Sequence, residues 1–206
     1  MNLLSGLILI LAFTFFGCAT TPVKTPEDYL KRHEISDFSR SDFPICHSYG
    51  CRQKTKTFFT PKDWHTIKTL FIPAPEDARS ERQLIAKAIQ SMEIISGKKT
   101  GINKDIGGTF TGMFKHNQMD CEDEAVNTNI FLILLQQDHL IRFHSFYGIA
   151  RRGMIINGWP HVACSIMETA GTDRYVLDSW FTDHGKTVYV LPEQIWKSGW
   201  KPPKIN

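Results

Sequence analysis

One of the five cysteines in this 206-residue chain sits where a thiol can become a nucleophile. Cys121, in HNQMDCEDEAV, falls where a Gly-rich stretch gives way to an apolar helical pattern. A thiol at a helix N-terminus faces unpaired N–H groups and the positive end of the macrodipole, which favours the thiolate. The flanking Asp120, Glu122 and Asp123 oppose it, because nearby negative charge raises a thiol pKa. A reactive Cys121 therefore needs a cation, and a histidine is the natural candidate.

His161 opens the strand-like HVACSIM, and Asp178 lies in the next such run, RYVLDSW. A turn centred on Ala170 and Gly171 pairs residues whose numbers sum to 341, which places His161 and Asp178 on one face, diagonally adjacent. A carboxylate that orients an imidazole, and an imidazole that serves a thiol, is the logic of an activated nucleophile. Cys164 alternates to the other face and reads as core. Trp180 reads as a wall of the cleft.

The elements that must position these residues follow from periodicity and punctuation. Lys54 to Phe59 and Ile67 to Ile72 read as short extended runs, with Pro61 and Pro73 as breaks. Ser80 to Ser96 carries apolar residues at helical spacing, and Gly97 reads as its stop. Lys98 to Asn117 reads as a long loop whose GGTFTG lacks the Lys-Ser/Thr of a phosphate-binding loop. Asp123 to about Phe143 is apolar nearly all round, the mark of a buried helix. Strands follow at 144–149, 161–167, 174–180 and 188–191. Helices first and antiparallel strands after make the expected class α+β.

The order Cys121, His161, Asp178, with Cys starting a buried helix, His-x-Ala/Val on a strand and Val-Leu-Asp-x-Trp on its partner, resembles the transglutaminase-like superfamily within the papain-like fold. Asp120-Cys121-Glu122-Asp123 is also similar to the bacterial transglutaminase-like cysteine proteinases. The resemblance covers roughly residues 80–190. It implies Cys121 as nucleophile, His161 as general base and acid, and Asp178 as orienting carboxylate. Amide bonds of a protein or peptide would be attacked through a thioester, which is passed to water or an amine. No cofactor is required, although acidic residues beside the nucleophile, here Asp120 and Glu122, imply a calcium site. Gln118 is the candidate second oxyanion donor by proximity. Two alternatives stand beside this reading. One is a cell-wall peptidase of Cys-His-His type, with His184 as third member. The other is a non-catalytic envelope module that keeps the fold for binding or assembly.

Residues 2–17 are uncharged and almost wholly apolar, too short to span a bilayer as a helix, and end at Cys18. Gly17-Cys18 resembles the lipobox of bacterial lipoproteins. The resemblance implies a cleaved signal over 1–17, lipidation of Cys18, a tether over 18–30 and one domain over 31–206. It also implies a protein held at the outer membrane, facing the periplasm. Export to an oxidising compartment makes Cys46 and Cys51, with four residues including a Gly between them, an expected disulfide. His47 between them lacks further ligands nearby and reads as part of a surface loop. The formal net charge of +3, from scattered residues, gives no nucleic-acid footprint, and a monomer is expected.

Overall fold

A computed structural model describes residues 25–109, 112, 113, 115, 117–153 and 159–203. The expected signal segment and Cys18 lie outside the described residues. Among the described residues the architecture is α+β: a two-stranded antiparallel ribbon, a four-stranded antiparallel sheet and five helices. Among the described residues no helix is long and apolar enough to cross a membrane.

The central element is α4 (Cys121–Gln137), whose N-terminus is set by a capping box. Asp120 accepts from the Asp123 N–H, and Asp123 accepts in return from the Asp120 N–H. Its residues from Asp123 to Leu135 are all buried, because α1 (Pro26–Lys31), α3 (Ala78–Thr100), β1 (Phe43–His47) and β4 (His161–Glu168) surround it. The helix ends at Gln137 and not near Phe143. The N–H groups of Arg142 and Phe143 go to the buried Glu81 carboxylate, so they are lost to helix bonds, and His139 turns the chain at a positive φ.

Four further expectations are corrected. Residues 67–69 are not extended but close α2 (Pro61–Thr69), started by a Thr60–Asp63 capping box with Pro61 in the first turn. Gly97 does not stop α3, which runs on to a left-handed C-cap at Gly101; a Cβ at Gly97 would meet His184 Nε2 at 2.5 Å, so its bare Cα serves a close approach. Residues 26–30, expected as tether, belong to α1, which is folded onto α4 with Tyr29 and Leu30 buried. His47 is buried on β1, its ring bonded to the Ser48 and Thr55 hydroxyls.

Cys46 and Cys51 form the disulfide. Their loop between β1 and β2 (Gln53–Thr57) is tied to α4 by the Asp123 carboxylate, which accepts from the N–H groups of Tyr49 and Cys51.

The large sheet runs β3 (His144–Arg152), β4, β5 (Arg174–Asp178), β6 (Tyr189–Pro192). Cys164 pairs with Leu177, the register expected from the Ala170-Gly171 turn. Val162, Cys164 and Ile166 face the main core with α4, while Ala163, Val176 and Leu191 face Trp196 of α5 (Glu193–Lys197).

Candidate active site

Alternation along β4 puts His161 on the α5 face of the sheet, together with Asp178 from the end of β5. The pair is made: His161 Nε2 lies 2.8 Å from Asp178 Oδ2. The same oxygen accepts from Trp196 Nε1 at 2.6 Å, and Oδ1 accepts from the Trp180 N–H at 3.3 Å. A carboxylate only accepts, so Nε2 is the donor and Nδ1 is the ring nitrogen left over. The ring is caged by Trp180, Phe181 and Trp196, with centroids 4.9, 5.2 and 5.3 Å away. His161 and Asp178 are buried, 5% and 2% exposed, so little competing water reaches their bond.

Cys121 approaches from the other layer. It begins α4, is partly exposed, and takes a hydrogen bond from the Val162 N–H, one residue past His161. The thiol thus lies beside the backbone at the start of β4, next to the residue that follows His161. A direct Cys121–His161 hydrogen bond is not among those of the described residues. Burial is the main influence pushing the thiol up, to about 12, with Asp120, Glu122 and Asp178 adding to it against the Val162 N–H. At neutral pH the resting side chain is a thiol.

The acidic neighbours have structural employment. Asp120 is the cap of α4, and Glu122 Oε1 accepts from the Tyr29 hydroxyl at 2.9 Å and lies 3.1 Å from His33 Nε2, pinning α1. Burial pushes Glu122 up, but these bonds and Arg151 hold it below its ordinary value. Among the described residues no group of three or more His, Cys, Asp or Glu is placed to hold a metal. Asp120 and Glu122 spend these carboxylate oxygens on the α4 cap and on α1.

Gln118 is buried with its amide engaged: Nε2 donates to the Lys104 carbonyl and Oε1 accepts from the Ile106 N–H. It secures the loop before Cys121. His184 lies against α3, with Nε2 2.9 Å from the Glu93 carbonyl, and the position beside His161 belongs to Asp178. Cys164 is core, its thiol donating to the Ala125 carbonyl.

Trp196, Arg152 and a buried acidic layer were not read from the sequence. Trp196 sits in a short helix with no periodic signal. Arg152 pairs with His161 across β3 and β4, and its guanidinium lies 4.3 Å from the Trp196 ring centroid while donating to the Trp196 and Trp200 carbonyls. Only the strand register reveals that neighbour. Behind the site, Ser179 donates to Glu124 of α4 at 2.9 Å, and the Gly185 N–H donates to Glu93 of α3. Burial raises Glu124, lifts Glu93 to about 7, and lifts Asp105 to about 6.

Comparison with protein-family models, with curated proteins and with solved structures finds no match to the chain. The class is therefore defined by the fold and the site themselves: an α+β protein with a partly exposed helix-N-terminal cysteine at one end of a sheet that presents a buried His–Asp pair.

Proposed function

We propose that this protein is a papain-like cysteine hydrolase or acyltransferase of the transglutaminase-like kind, attached by lipid at Cys18 in a bacterial envelope and acting on protein or peptide amides. The observation that carries the reading is the His161–Asp178–Trp196 array, which leaves the Nδ1 lone pair as the only basic site of the imidazole. His161 Nδ1 takes the Cys121 proton as the sulfur attacks the amide carbonyl carbon. The resulting oxyanion is met by the Cys121 N–H, which lies in the first turn of α4, where N–H groups have no partner within the helix. The C–N bond breaks, the departing amine carries away the proton from His161, and an acyl thioester remains on Cys121. Water or an amine, deprotonated by His161, then releases the acyl group and restores the thiol. A thiol held near 12 fits proton transfer in step with attack, not a preformed thiolate–imidazolium pair.

The test is acylation by p-nitrophenyl acetate. We expect a nitrophenol burst with the acetyl group on Cys121, slowed about 10²–10⁴-fold in His161→Ala. Acylation indifferent to His161, or absent, overturns the reading. The raised thiol pKa and the missing direct Cys121–His161 bond favour, as second reading, a binding module that retains the fold without turnover. Failure of acylation with intact folding is its signature.

A further inference from the structure

Beside His161 lies a cleft of about 460 Å³. Its charged lining, apart from His161 itself, is cationic: Arg152 on the inner wall and the exposed Lys201 at the rim. Its aromatic lining includes Trp159, 77% exposed, and Phe181. Gly107 and Gly108 form one side: a Cβ on Gly107 would meet the Thr182 carbonyl oxygen at 2.0 Å, and Gly108 donates to the Trp180 carbonyl, so this strap packs closely on the backbone that follows β5.

Arg152 differs from other arginines of the large sheet and its surroundings. Arg82, Arg151 and Arg174 lie within ion-pair reach of Glu168, Glu122 and Glu193. Arg152 has no ion pair among the described residues; two carbonyls and the Trp196 and Phe181 rings hold it in place. The Asp178 carboxylate, which Arg152 feels electrostatically, is already occupied by His161 and Trp196. A partly buried guanidinium positioned in advance, with donors left over, binds a carboxylate strongly because little ordering remains to be done.

We propose that the cleft selects acyl donors carrying a carboxylate within one or two residues of the amide attacked, read by Arg152 with Lys201 adding charge at the rim. This rests on the hydrolase reading for its peptide ligand. The span follows from the strand register, since Arg152 and His161 are directly paired.

The test is calorimetric binding to the full-length Cys121→Ala protein, with acetylated, amidated peptides Gly-Gln-Xaa-Phe-Gly in which Xaa is Asp, Asn or Lys. We expect the Asp peptide to bind at least tenfold tighter than the Asn peptide and the Lys peptide to bind weakest, with the Asp preference shrinking as salt rises. The ratio of Asp to Asn affinities is the readout, because a deformed cleft lowers both. Arg152→Gln should bring the ratio near one. Lys201→Glu, at an exposed site that leaves the fold intact, should cut it severalfold. Equal binding of Asp and Asn peptides, a ratio that survives both substitutions, or no binding at all overturns the proposal. The neutral nitrophenyl ester separates the two readings: acylation with no Asp preference sinks only the carboxylate selection, and Asp preference without acylation sinks only the hydrolase.

Discussion

The His161 half of the site and the Cys121 half are built on opposite principles. At the first, every polar atom of Asp178 has a partner, and aromatic rings hold the imidazole from three sides. At the second, burial and three carboxylates weigh against the charged form of the side chain that would react. On the proposed mechanism the difference teaches where activation would arise. A preorganised base would need no reorganisation at the moment of reaction, whereas a thiol kept neutral would be protected from stray electrophiles until a carbonyl and the base act together.

The largest effect should come from breaking the preorganised half. Asp178→Ala frees the imidazole and removes its tautomer bias, and acylation of Cys121 should fall about 10²–10⁴-fold in a stopped-flow burst assay. Trp196→Phe keeps the ring but removes one donor to the carboxylate, so a loss of about tenfold is expected, with the pH profile displaced. An unchanged rate in both variants would mean the relay does not serve the thiol.

The next effect concerns the acidic layer that joins the two halves. Glu93 stands at about 7 in the folded protein against an ordinary value near 4.5, so the folded state holds its proton more tightly. That contribution is fully present below about pH 4.5 and is lost as pH rises through about 7. Stability by urea denaturation should therefore drop on the order of 2 kcal/mol between pH 5 and 8 through this group. In Glu93→Gln the same interval should be flatter; an identical slope refutes the assignment.

Removing the disulfide with Cys46→Ser and Cys51→Ser should cost about 2 kcal/mol, since the loop it closes is short. The loss should spread to α4, because the Asp123 carboxylate grips this loop and the helix start together. Hydrogen exchange at the N-terminus of α4 checks it. The smallest effect should come from sharpening the unfavourable half. Glu122→Gln removes one of the charges that raise the Cys121 thiol, and iodoacetamide labelling at pH 8 should rise about three- to tenfold.

Much of the fold was legible because its signals are local. The apolar run of α4, the strand alternation and the turn at Ala170-Gly171 each lie within one segment, and together they fix the register that joins His161 to Asp178. The errors have a common cause. Gly97 reads as a helix stop until His184, 87 residues away, is seen to need the space, and residues 67–69 join a helix because Thr60 and Asp63 cap it. Tyr29 and Leu30 look like tether until α4 covers them.

The sequence by itself determined the α+β class, the disulfide pair, the helix start at Cys121 and the shared face of His161 and Asp178, because capping, periodicity and strand parity act over a few residues. Only the tertiary structure decided that Asp178 is held by Trp196, that Arg152 stands beside the imidazole, and that burial raises the thiol. Those are consequences of distance and dielectric, which depend on segments far apart in the chain and carry no local signature.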